Sequence, residues 1–155
     1  MNPRLVNLEE AAPSDAESVA LIGELNAVLD SLYHPDENHF SLEPEQVTGD
    51  KGVFLIARLD GQAVGCGAVR LVGDGRAEIK RMYVRPEARR NGVGAALLER
   101  LEREAQRRGA RQLVLEMGPA QPAARHLYAG FGFHPVPCWG EYQATPNSVC
   151  LGKDL

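Results

Sequence analysis

Six residues in the middle of the chain, Arg89-Arg90-Asn91-Gly92-Val93-Gly94, have the make-up of a seat for a small anion. They stand where a helix begins, and the first backbone N–H groups of a helix have no partner inside it. Two glycines let a ligand approach those donors with no side chain in the way. The helix dipole adds about 0.3–1 kcal/mol for a nearby negative group, and Arg89 or Arg90 could add charge-assisted hydrogen bonds to a phosphate. A diphosphate is the natural guest. The same glycines would also serve a tight strand-to-helix turn with both arginines solvated, and the fragment by itself leaves the two readings level. A dinucleotide-binding turn is disfavoured, because no third glycine completes Gly92-Val93-Gly94 and no acidic ribose-binding strand follows. A Walker-type loop fails as well, since no Gly-Lys-Ser/Thr ends the turn.

The elements around this turn are legible. Arg76 to Val84 is rich in branched and aromatic residues and reads as a strand, and Pro86 forbids it from running straight into a helix. After the turn, Leu97, Leu98, Leu101 and Ala105 recur at helical spacing, with Glu99, Arg100, Glu102, Arg103 and Arg107 on the other side. A helix from about Gly92 to Arg108 follows, with Gly109 placed as its left-handed terminator.

The 155 residues, 44% of them hydrophobic, suffice for one well-buried core and are too few for two ordinary domains, so a single domain over 1–155 is expected. No apolar signal segment opens the chain and no apolar run approaches membrane-spanning length, which places the protein in the cytoplasm and away from the membrane. Three widely spaced cysteines, Cys66, Cys138 and Cys150, form no Cys-x-x-Cys and no metal-ligand pattern. They read as free thiols in strands, Cys66 as a small buried hydrophobe rather than a nucleophile. The net charge of −4 hides an asymmetry: residues 1–69 hold 3 basic and 12 acidic side chains, whereas residues 70–111 hold 12 basic and 6 acidic. The basic middle suits a polyanionic small ligand, and the acidic remainder argues against nucleic acid. Part of it is also readable as a solvated helix face, with pairs such as Glu99 and Arg103 four apart.

Taken in order, Arg4 to Leu8 is a short strand, and Ser14 with Glu17 has the spacing of a capping box before a helix ending near Tyr33. The stretch from Asp36 to Asp50 is polar, with at most a helical turn at Glu43 to Val47. Val53 to Leu59 and Gln62 to Val72 are strands joined by the two-residue hairpin signal Asp60-Gly61. Gly73-Asp74-Gly75 leads into the strand from Arg76. Gln112 to Met117 is a buried strand, and Gln121 to Ala129 a short helix with Pro122 in its first turn. An extended segment through His134, Val136 and Cys138 and a strand at Ser148 to Leu151 close the chain. This order implies an α/β domain of the α+β type, with a mixed, mostly antiparallel sheet of about seven strands flanked by helices.

Arg89-x-x-Gly92-x-Gly94, combined with Leu127-Tyr128-x-x-x-Gly132-Phe133 some thirty residues later, resembles the GNAT superfamily of N-acetyltransferases. The resemblance is best from about Ala63 to Phe133. It implies that the fourth strand, Arg76 to Val84, splays from the fifth, Gln112 to Met117, to leave a cleft for acetyl coenzyme A. Backbone groups of Arg89, Arg90, Asn91, Gly92, Val93, Gly94 and Ala95 would hold the phosphates, and the main chain of Met82 and Val84 would pair with the pantetheine arm. The family's fourth strand usually carries a bulge that frees those groups. Where the family pattern has an Asn at the start of the helix before the tyrosine, this chain has Gln121, which keeps the amide on a longer arm.

The resemblance also implies an N-acetyltransferase acting by direct attack of an amine on the bound thioester, with no metal and no covalent intermediate. An alkylamine is almost wholly protonated at neutral pH, so a base or a water chain must help. Glu78, on the splayed strand, stands where several family members carry that base; an ordinary cross-strand pair with an arginine is the plainer account of it. Tyr128 is the implied acid for the leaving sulfur, against plain packing beside Leu127 and Phe131. A backbone N–H near Met82 or Tyr83 would polarise the thioester carbonyl. Tyr33, His34, Glu37 and Phe40 are nominated for one wall of the acceptor site, and Glu141 with Tyr142 for the other, their acidic and aromatic character suiting a cationic small-molecule amine. Protein or peptide acetylation, or a non-catalytic acyl-coenzyme A-binding regulatory domain, are the rivals, and the family's frequent dimers make a homodimer an option.

Overall fold

The computed structural model describes residues 5–34 and 42–155. Its elements, in chain order, are β1 (Val6–Glu10), α1 (Ala16–Leu32), β2 (Gly52–Leu59), β3 (Gln62–Gly73), β4 (Arg76–Val84), α2 (Val93–Arg107), β5 (Gln112–Met117), α3 (Pro122–Gly130), β6 (His134–Pro135) and β7 (Val149–Asp154). The seven strands form one sheet in the order β1-β2-β3-β4-β5-β7-β6, in which only the β4–β5 pair is parallel. Three hairpin-linked strands thus precede the α2 crossover, as the turn signals imply. Asp60 and Gly61 take φ of 51° and 82°, the left-handed pair that a two-residue hairpin needs.

Helices cover both faces. On one, Leu97, Leu98, Leu101 and Ala105 of α2 pack on Val53, Leu55, Ile79, Leu113 and Leu115, and α3 joins them through Tyr128. On the other, Leu21 and Leu25 of α1 pack on Phe54, Ile56, Cys66, Ala68 and Tyr83. A smaller cluster of Val114, Trp139, Tyr142 and Cys150 continues this second face beyond β4. The alternation of side chains along β5 therefore sends Leu113, Leu115 and Met117 to the α2 face and Val114 to the opposite one.

Several expectations are corrected. Cys138 and Cys150 are not free thiols: their sulfurs are bonded at 2.04 Å. The antiparallel return of the chain, in which the Val136 N–H donates to the Cys150 carbonyl, brings the two together across a coiled segment that no periodicity marks. Cys66 is free and buried, and burial pushes its thiol up to about 12. The cap of α1 is Asp15 rather than Ser14: Asp15 accepts from the Ala12 N–H at 3.1 Å, while Glu17 is drawn into an ion pair with Arg58. A capping box does form at Glu43 and Gln46, at the start of the 3-10 turn Pro44–Val47. The last strands are shifted, β6 being only His134–Pro135 and β7 extending to Asp154, with a 3-10 turn Gly140–Ala144 between them.

The charges of α2 centre on Glu104 rather than on Glu99. Its carboxylate, 2% exposed, meets Arg100 at 2.9 Å, Arg107 at 3.1 Å and Arg108 at 2.9 Å. Burial alone would raise its pKa, but the hydrogen bonds from Arg108 and Arg100 outweigh it and hold the carboxyl below the ordinary range. A lowered carboxyl stabilises the fold above the unfolded pKa, near 4.3, and loses that contribution as pH falls through the folded value. Glu104→Gln should therefore cost about 2 kcal/mol at neutral pH in urea denaturation, with the gap to wild type closing below about pH 4. A gap that is the same at both pH values would remove the ion cluster as the cause.

Candidate active site

The strand-to-helix turn is held by its own atoms. The Arg85 N–H donates to the Val64 carbonyl at 2.8 Å, Pro86–Ala88 forms one 3-10 turn, and the Asn91 amide donates to the carbonyls of Ala88 at 3.0 Å and Arg89 at 3.2 Å. Gly92, at φ 77°, is the left-handed residue that starts α2, and Arg90 shares that conformation at 67°. The first helical bond is from the Ala96 N–H to the Gly92 carbonyl, and no side chain among the described residues caps the helix, so the donors of Val93, Gly94 and Ala95 have no partner inside it. A side chain on Gly94 would press on Leu127 at 3.0 Å, so this glycine also lets α2 start against α3. Arg89 and Arg90 are exposed beside the turn. These features fit a diphosphate.

Next to the turn the sheet comes apart. β4 and β5 pair only from Arg76 to Ile79 and from Gln112 to Leu115. Further along, β4 bulges: between the pairs Cys66–Tyr83 and Ala68–Lys80, Arg81 and Met82 stand opposite Gly67 alone, and Arg81 takes φ 56°. The extra residue reverses the alternation, sending Met82 and Val84 to the α2 face and Tyr83 to the α1 face. Gly67 makes room for this, since a Cβ there would lie 2.8 Å from the Met82 sulfur. The bulged strand borders a cleft of about 150 Å³, where Arg81 and Met82 have no partner in the β3 ladder.

That cleft passes through the sheet. Ile79, Met82, Leu115, Met117 and Tyr128 line it from the α2 face, and Glu78, Lys80, Glu116, Tyr33 and Tyr142 from the other. Burial pushes the Tyr128 phenol well above its usual range, and its ring meets Phe133 edge-on at 5.7 Å. Glu78 is 1% exposed. One of its oxygens accepts from Nε and Nη2 of Arg70 at 3.1 and 2.9 Å, and the other from the Tyr142 hydroxyl at 2.6 Å. The cross-strand arginine pair weighed from the sequence therefore exists, and its carboxylate is buried. Tyr33 reaches in from the end of α1: its hydroxyl accepts from the Ala120 N–H at 2.9 Å and donates to Gln121 at 3.2 Å, and a side chain on Gly118 would overlap its ring. Gln121 thus lines the cleft with its amide engaged by Tyr33.

Of the residues nominated from the sequence, Tyr33, Glu78, Met82, Gln121, Tyr128 and Tyr142 meet in the cleft, whereas His34, Val84, Glu141 and the turn from Arg89 to Ala95 lie outside its lining. Glu37 and Phe40 lie outside the described residues. Sequence reasoning overlooked Lys80 and Glu116. Burial lowers the Lys80 pKa, and its ammonium lies 3.4 Å from the Tyr142 hydroxyl. For Glu116 burial raises the pKa, a Ser148 bond at 2.5 Å opposes the rise, and the charge of Glu78 adds to it. A signal was present: Glu116 is the one acid in the apolar run from Leu113 to Met117. Among the described residues no His, Cys, Asp and Glu group could hold a metal, and no helix is long and apolar enough to cross a membrane.

The site thus combines a sheet split between β4 and β5 with an uncapped helix start on one side and an acidic, aromatic wall on the other. The chain matches the model of the acetyltransferase (GNAT) family over residues 21–133, and it belongs to that family. It is an acetyl coenzyme A-dependent N-acetyltransferase. An "IAA acetyltransferase" of Azospirillum brasilense is 37% identical over 151 residues, covering 97% of this chain and 98% of that one. The solved structure of a Klebsiella pneumoniae protein assigned as an acyl-CoA N-acyltransferase superposes with a TM-score of 0.83 at 36% identity, covering 97% and 98%. An N-acetyltransferase from Thermoplasma acidophilum, solved with coenzyme A, shares the fold at a TM-score of 0.72 and 15% identity, covering 97% and 99%.

Proposed function

We propose that this enzyme acetylates a primary amine of a small molecule or amino-acid-like compound by direct attack on acetyl coenzyme A, without an acyl-enzyme. The observation that carries the reading is the passage through the sheet, with Tyr128 on the α2 face and an acidic wall on the other. The diphosphate of the donor would sit on the Val93 to Ala95 N–H groups, flanked by Arg89 and Arg90. Its extended arm would run along the bulged part of β4, where Met82 has no ladder partner in β3. A β4 N–H near Met82 or Tyr83 would then meet the oxygen on which charge develops.

The amine, with a pKa near 10.4 when free, must lose a proton before attack. That proton leaves to Glu78 or through water held against the acidic wall. Tyr128, its phenol kept protonated by burial, protects the departing sulfur by giving it a proton. The packing of Tyr33 over Gly118 narrows the acceptor side and favours a small acceptor over a peptide.

The test is a panel of amines, amino acids and peptides with acetyl coenzyme A, following thiol release. Release with one chemical group of small amines is the expected result. Turnover with peptides alone would replace the small-molecule reading, and tight binding of the donor without turnover of any amine would leave a regulatory domain.

A further inference from the structure

We infer that Glu116 is the group that receives the acceptor's proton, at the end of the water route above or by direct contact. The inference rests on the proposed N-acetyltransferase reaction and assigns a residue to its first step.

Position carries it. Ile79 and Leu115 are the last paired residues of β4 and β5, so Glu116 is the first β5 residue beyond the split. By strand alternation it shares the face of Val114 and Cys150, opposite to the α2 face where Tyr128 sits. An amine between the two would have its proton acceptor on one side and the thioester with its acid on the other. Glu78, by contrast, is tied down: three donors from Arg70 and Tyr142 occupy its two oxygens, and it is 1% exposed. Its carboxylate anchors Arg70 and the 140–144 turn and adds negative charge beside Glu116. Glu116 is half-buried, with Ser148 donating to one oxygen.

The groups that set its affinity for a proton come from every neighbouring element. Glu78, Lys80 and Arg81 come from β4, Glu141 and Tyr142 from the 3-10 turn, and Tyr33 from the end of α1. Burial and the Glu78 charge raise Glu116 toward the range useful for a base, and Lys80 and Ser148 act the other way. The ammonium gives one proton to the Glu116 carboxylate, and the freed electron pair forms the N–C bond as the C–S bond breaks. The sulfur leaves with its electron pair and takes the Tyr128 proton. The second proton on nitrogen restores Tyr128 through water, and Glu116 passes its own to solvent, the single proton that the overall reaction releases.

The experiment compares 2-phenylethylamine, charged at neutral pH, with aniline, which is already neutral, as acceptors for wild type, Glu116→Gln, Glu116→Asp and Glu78→Gln. Glu116→Gln should slow turnover of the alkylamine about 100-fold and flatten the acid limb of its kcat profile, with aniline changed by less than about threefold. Glu116→Asp should restore part of the alkylamine rate, and Glu78→Gln should be slower than wild type but keep the limb. A Glu116→Gln enzyme that keeps the limb, or that loses both acceptors equally while still binding acetyl coenzyme A, would overturn the assignment. A wild type that binds the donor and acetylates neither probe nor any amine of the wider panel would overturn the reaction itself, and with it the role of Glu116.

Discussion

Tyr128→Phe is expected to lower kcat by roughly a thousandfold, within the upper range for loss of a positioned acid, while acetyl coenzyme A binds within about twofold of wild type. The hydroxyl is the only atom removed, and it makes no hydrogen bond among the described residues, so packing against Phe133 survives. Because burial raises the phenol, it holds its proton across the working range. Its loss should therefore scale the whole pH profile down rather than move a limb. A thiolate is a tolerable leaving group with a pKa near 8.5, so donors with more acidic thiols should recover part of the rate in the variant. Steady-state kinetics with matched thioesters checks this, and equal activity of the two enzymes at every pH would take Tyr128 out of the mechanism.

Gly92→Glu should weaken acetyl coenzyme A binding by on the order of 100-fold. Gly92 lies at the mouth of the turn with nothing within 4 Å of where a Cβ would stand, so a new carboxylate has room to enter the phosphate position. A like charge about 5 Å from a phosphate costs about 3 kcal/mol at an effective dielectric constant near 20, which is about two decades of affinity. The left-handed φ of 77° adds strain for most side chains. Gly92→Asn separates the two effects, since Asn tolerates that conformation and is neutral. Calorimetry should show Asn close to wild type and Glu much weaker. Equal affinities for all three would move the diphosphate elsewhere.

How much of this could be read from residues alone depended on how local the cause was. The Asp60-Gly61 hairpin, the α2 stripe of Leu97, Leu98 and Leu101, and the Gly109 terminator at φ 84° all follow from near neighbours. The split between β4 and β5 had to come from resemblance, because a parallel pair that stops after four residues leaves no periodic trace in either strand. The bulge at Arg81-Met82 is similar: a non-glycine in the left-handed region gives no compositional signal. Glu78 was found because of its place on the fourth strand, but its burial with Arg70 and Tyr142 brings together residues 8 and 64 positions away. Glu116 stood out only as the one acid in an apolar run; its setting needed the third dimension, since Lys80 comes from β4, Tyr33 from the end of α1 and Ser148 from the segment before β7. The Cys138–Cys150 bond was missed for the same reason: a spacing of 12 has no meaning until β6 and β7 are paired.

A crystal structure of the enzyme with acetyl coenzyme A bound would test the placement of the cleft most directly. The diphosphate oxygens should lie about 3 Å from the N–H groups of Val93, Gly94 and Ala95. The pantetheine arm should run between β4 and β5 along Met82, and the thioester should end beside Tyr128 with Glu116 across the gap. A diphosphate seated away from the start of α2, or a thioester that reaches neither Tyr128 nor the split in the sheet, would contradict it.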